Sequence, residues 1–230
     1  MPPELIVAVR NWAHLGHMKS LPLTRCAIVL GVFSAFTVSS YADSLFLYSS
    51  ATETANNSSS ATMNIDKNPR WDGPLAGSSW VSNVQSGDPS ESGFVSPANG
   101  TSVIFTDTFA INGIPADGIL NVLADDTTSV SLNGVLLEAQ ASSTGNTYAT
   151  CSDTTIGCLA ITEGDVSLRG NLQSGVNTLS FDVIQVAGSS YGLDYAGTVN
   201  YTPTPEPATF ALLGLPLTLV AFLKRKRQKA

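Results

Sequence analysis

The sequence predicts an all-β fold, with a single β-sandwich over residues 43–202 and an apolar segment on either side. Three observations carry this. Apolar and polar residues alternate with a period of two in several stretches, the pattern of strands with one buried face. Helical periodicity is absent from the middle of the chain. Gly and Asn punctuate the alternating runs at sandwich-like spacing. The 230-residue chain carries 19 Gly, 12 Pro and only 13% charged residues, which suits one domain with appendages and argues against a coiled coil or a charged disordered tail.

At the N-terminus, Lys19 and Arg25 flank the start of an apolar run from Cys26 to Val38, followed by Ser39-Ser40-Tyr41-Ala42. Basic, then apolar, then small is the order of a secretory signal peptide, with cleavage expected between Ala42 and Asp43. The run is too short to span a bilayer, which takes roughly 20 residues. Met18-Lys19 would open a signal peptide of ordinary length, so residues 1–17 read either as an upstream extension or as an unusually long leader. Cys26 follows Arg25, which does not suit lipid attachment.

The strands follow in order. One is expected near 44–48, then a polar low-complexity loop over 49–62, and another strand near 79–84. Val103, Phe105 and Phe109 share one face of the next strand, with Thr106 and Thr108 opposite. Residues 118–124 and 128–137 follow, the second broken by Asn133-Gly134, a tight-turn pair. Leu179, Phe181 and Val183 alternate with Ser180 and Asp182. Leu193, Tyr195, Val199 and Tyr201 alternate with Asp194, Thr198 and Asn200, which puts the polar set away from the core. Residues 202–207 read as a linker, and there is no internal repeat.

Charge narrows the function classes. Between residues 43 and 205 the chain has sixteen acidic residues against Lys67, Arg70 and Arg169, a net charge of −13. No nucleic-acid partner is expected on that balance. Both histidines, His14 and His17, fall outside this stretch, which removes Ser-His chemistry. Carboxylate pairs of the kind used in glycoside hydrolysis arise by chance in so acidic a domain, and no enzyme is expected.

Cys151 and Cys158 are the cysteines left after export, and a disulfide is expected between them. Closing an eight-residue loop stabilises by roughly 2–3 kcal/mol on the chain-entropy account. Two cysteines without histidine do not complete a zinc site.

The candidate ligand residues are Asp125, Asp126, Asn133, Trp71 and Trp80. Asp125, Asp126 and Asn133 would supply about three or four of the six to eight oxygens that calcium needs, if their loops converge. The other reading is that the acids solvate a turn and keep the domain soluble. Asp153, Glu163 and Asp165 form a second acidic group. Trp71 and Trp80 read either as a sugar-stacking platform or as plugs at the edge of the core.

The chain ends PTPEPATFALLGLPLTLVAFLKRKRQKA over residues 203–230. Pro205-Glu206-Pro207, an apolar helix over 208–223 and a basic cluster at Lys224–Lys229 resemble the PEP-CTERM sorting signal of Gram-negative bacteria. The basic end suits the cytoplasmic side of a membrane. The resemblance implies an exosortase as processing partner, an inner-membrane intermediate, and delivery to the cell surface or an exopolysaccharide matrix.

Two further segments, LADDTTSVSLNGV at 123–135 and LQSGVNTLSFDV at 172–183, resemble the jelly-roll sandwiches of the galactose-binding-like superfamily. Asp125 and Asp126 also match the paired aspartates of the protective-antigen-type carbohydrate-binding sandwich, which hold calcium beside the sugar. Together these resemblances imply an exported, non-catalytic jelly-roll protein that binds glycan. The alternatives are a passive structural matrix protein without a ligand and, less favoured, a secreted glycoside hydrolase.

Overall fold

The computed structural model describes residues 41–141, 151–152 and 154–204. The apolar run of the signal peptide, Asp153, the Pro205-Glu206-Pro207 motif and the 208–223 segment lie outside the described residues. Among the described residues no helix is long and apolar enough to cross a membrane.

Among the described residues eleven strands form: β1 (Asp43–Tyr48), β2 (Ala55–Asn56), β3 (Met63–Asn64), β4 (Val81–Ser82), β5 (Ser102–Ile111), β6 (Gly113–Asp125), β7 (Thr127–Leu132), β8 (Val135–Glu138), β9 (Gly164–Ser167), β10 (Gly175–Ile184) and β11 (Gly192–Pro203). They pair into two antiparallel sheets. The first runs β3-β4-β11-β6-β9, with β1 also paired to β11; the second runs β2-β5-β10-β7-β8. From β5 onward the chain crosses between sheets at every connection except the β7–β8 hairpin.

Alternation explains the core. Val103, Phe105 and Phe109 of β5, Leu179, Phe181 and Val183 of β10, and Leu193, Tyr195 and Val199 of β11 are buried together. Phe181 of the second sheet stacks on Tyr195 of the first, with centroids 4.5 Å apart and planes at 20°. The turn from β7 to β8 places Asn133 at φ 53° and Gly134 at φ 79°. Two successive left-handed residues make the tight hairpin that Asn-Gly favours.

Two expectations need correction. The 49–62 segment contains β2, paired to β5, and is fastened by Thr54, whose hydroxyl lies 3.0 Å from the Tyr195 hydroxyl. Asp194 is fully buried instead of facing solvent. It sits on the outer face of the first sheet, where the 65–80 segment covers it. Ser49 Oγ donates to its Oδ1 at 2.8 Å and the Leu75 backbone N–H donates to its Oδ2 at 2.8 Å.

That cover is a second apolar layer. Ile65, Trp71, Trp80, Leu123, Cys151 and Cys158 form a cluster separate from the main core. Leu120, Val122 and Ala124 of β6 face the main core, whereas Leu123, on the opposite face, meets the cover. One end of the outer face is therefore roofed, and the remainder is left open.

Candidate functional site

The structure brings four of the five candidate ligand residues together, inside the cover. Trp71 and Trp80 pack with centroids 4.3 Å apart and planes at 35°. Their relative exposures are 3% and 2%, so neither offers a face to a sugar, and the platform reading gives way to edge packing. Trp71 Nε1 donates to Asp125 Oδ2 at 2.6 Å. Asp126 Oδ2 accepts from the Val186 backbone N–H.

Asp125 is fully buried and Asp126 almost so. Burial, and then the adjacent Asp126 charge, hold Asp125 well above the usual carboxylate range. Burial pushes Asp126 up to about 6. Asn133 stands at the far end of β7, about 24 Å away at ~3.4 Å per strand residue. There its Nδ2 donates to Asn171 O and Asn177 Oδ1, both at 3.0 Å, and its Oδ1 accepts from Thr178 N–H.

These residues do not fit calcium. The cation takes six to eight oxygens. One oxygen of each aspartate already serves the fold, and Asn133 does not converge on the pair. Among the described residues no three His, Cys, Asp or Glu side chains gather to hold a metal. In place of calcium ligation, Asp125 and Asp126 anchor the Trp71 segment and the loop following Ile184 to the ends of β6 and β7.

The disulfide forms as expected between Cys151 and Cys158, Cα–Cα 5.7 Å. Both sulfurs are buried in the cover. The loop they close is tied on through Asp72 N–H to Cys158 O (3.0 Å) and Ser152 N–H to Asp126 O (2.9 Å).

Beside the cover lies a surface that sequence reasoning missed. A groove of about 640 Å³ runs across the open part of the first sheet. Strand register lays out its residues in two rows. Tyr48, Ala196, Asn121 and Asp165 stand side by side across β1, β11, β6 and β9. Phe46, Thr198, Ile119 and Ser167 form the next row. Four strands at ~4.8 Å spacing make the rows about 14 Å wide.

The middle column is small, Ala196 to Thr198, so the floor is low. On one flank stand Phe46 and Tyr48, exposed at 69% and 37%. Opposite, the Asn121 side chain joins two carboxylates: Nδ2 donates to Glu163 Oε1 at 2.5 Å and to Asp165 Oδ1 at 2.6 Å. Leu75, Ala76 and Gly77 of the cover close one end. Of the second acidic group, Glu163 and Asp165 thus flank the groove, and Asp153 lies outside the described residues.

The available signal for this groove was the pairing of Phe46 and Tyr48 on one face of a short N-terminal strand. Its meaning depends on β1 pairing with β11, which is about 150 residues away in the chain and is not readable from spacing. Chemically the groove combines exposed aromatic faces, an amide and carboxylates around an open floor. That set can stack on flat apolar faces and accept hydrogen bonds from hydroxyl or ammonium groups.

No protein-family model matches the chain, and no curated protein matches it significantly by sequence. Solved structures similar to it include a family 35 carbohydrate-binding module from Clostridium thermocellum, at 12% identity and a TM-score of 0.38 over 67% of this chain and 97% of that one. CBM35 from Paenibacillus barcinonensis aligns at 14% identity and 0.32 over 67% of this chain and 97% of that one. CBM35 from Cellvibrio japonicus Abf62 aligns at 13% and 0.34 over 71% of this chain and all of that one (100%). At these scores the functional reading rests on this chain's own residues.

Proposed function

We propose that the chain is an exported surface or matrix protein of a Gram-negative bacterium whose β-sandwich binds glycan, without catalysis, in the groove across β1, β11, β6 and β9. The observation that carries the binding is the exposure of Phe46 and Tyr48 side by side above a low floor, facing Asn121 and Glu163. Exposed aromatics are costly to keep in water unless something covers them, and a sugar ring has apolar C–H faces that suit them. Polar groups on the opposite wall accept from hydroxyls and fix orientation. Export rests on the N-terminal signal, the disulfide and the PEP-CTERM-like tail, with an exosortase as processing partner.

A glycan array probed with the labelled full-length chain tests the binding. The reading expects retention on one or more oligosaccharides, lost in the Phe46→Ala/Tyr48→Ala double variant. Absence of binding to every glycan would leave a passive structural matrix protein as the better account.

A further inference from the structure

The groove's charge points to the class of sugar it takes, an inference that rests on the glycan reading above. Asn121 Nδ2 lies within hydrogen-bond reach of both Glu163 Oε1 and Asp165 Oδ1, so the two carboxylate oxygens stand no more than about 5 Å apart. A neutral amide holds them there. Like charges at that separation repel, and a cation placed against them would relieve the repulsion.

Among the described residues, neither wall of the groove supplies one. Lys67 donates to the Trp71 carbonyl at 2.9 Å, within the cover. Arg169 lines an adjoining depression with Asp117 and Asn200, beyond the Ile119–Ser167 row and away from the wall that carries Glu163. Arg70, the third basic residue of the domain, follows Asn68 in the cover segment, where its N–H donates to Asn68 Oδ1. The aromatic wall has the same preference, because the faces of Phe46 and Tyr48 carry negative electrostatic potential. Both flanks of one groove therefore favour positive charge, and the surrounding domain, at −13, repels acidic sugars.

We infer that the groove recognises a glycan bearing free amino groups, a hexosamine polymer lacking some of its N-acetyl groups, with Phe46 and Tyr48 on the ring faces and Glu163 and Asp165 on the ammonium. N-acetylation removes the charge and adds bulk at the same carbon. An acidic polymer meets repulsion from both walls.

The test is calorimetric titration of the full-length chain, purified in mild detergent below neutral pH, with three β-linked tetramers: glucosamine, N-acetylglucosamine and glucose. Exposed charge pairs and cation–π contacts of this kind support a preference of about tenfold for the glucosamine tetramer over the other two. The preference should shrink as salt rises. It should disappear in Glu163→Gln/Asp165→Asn, and persist in Glu91→Gln, a charge control outside the groove. Equal or tighter binding of the acetylated or glucose tetramer would overturn the amino-sugar inference while leaving the glycan reading standing. A preference that survives Glu163→Gln/Asp165→Asn would overturn it too. Binding of none of the three would overturn the inference, and the glycan array then decides the broader reading separately.

Discussion

The Trp71 indole N–H donates to Asp125 Oδ2 at 2.6 Å, inside a cluster that also holds Trp80 and the Cys151–Cys158 bridge. This bond makes residues that look like surface ligands in sequence into a fastening between the 65–80 cover and β6. Trp71→Phe keeps most of the ring and removes the donor, leaving a buried acceptor unpaired. The expected cost is about 1–3 kcal/mol in urea unfolding. Because burial favours the protonated acid at Asp125, Asp125→Asn should cost less than Asp125→Ala. A more stable Trp71→Phe protein would contradict the fastening role.

Loss of the disulfide should also be felt through the cover. Cys151→Ser/Cys158→Ser is expected to lower stability by about 2–3 kcal/mol, the loop-closure value for eight residues. The check is the urea midpoint of oxidised, reduced and substituted protein, in which the last two should coincide.

Stability should depend on pH through Asp107. Its Oδ2 accepts from the Tyr195 hydroxyl at 3.1 Å, and burial pushes its carboxyl up to about 6 from an ordinary 3.8. The folded state holds the proton more tightly, so this contribution is complete below pH ~4 and is lost as pH rises through about 6. Melting temperatures measured from pH 4 to 8 should fall more for the native chain than for Asp107→Asn. Parallel curves would remove Asp107 as the source.

Processing at the tail gives a separate expectation. If Pro205-Glu206-Pro207 is read by an exosortase, intact-mass measurement of surface protein should lack the 208–223 segment. Glu206→Ala should retain it and stay with the membrane fraction. Retention of the 208–223 segment in both proteins, or its loss from both, would sink the sorting assignment.

Much of the sandwich was legible in the sequence, because a period of two leaves a local mark. Phe105, Phe181 and Tyr195 announce their faces through their neighbours, and Asn133-Gly134 announces its turn. What spacing could not show was the second layer. Asp194 alternates like any solvent-facing residue, yet the 65–80 segment folds over it and supplies the Leu75 N–H, while Ser49, just past β1, supplies its hydroxyl. Asp125 and Asp126 look like a hydrated turn for the same reason. The groove stayed hidden because Phe46 and Asn121 become neighbours only through β11, by pairings that join distant parts of the chain.

The central claim is that the open part of the first sheet is a ligand surface. The most direct measurement compares glycan binding and melting temperature for Phe46→Ala/Tyr48→Ala with those for Val176→Ala, an exposed apolar residue of β10 in the other sheet. Truncating exposed side chains should change stability by less than about 0.5 kcal/mol in either case. Binding is expected to be at least about tenfold weaker in the groove variant alone, with both proteins melting like the native chain. Unchanged binding in the groove variant, or equal loss in both, would contradict it.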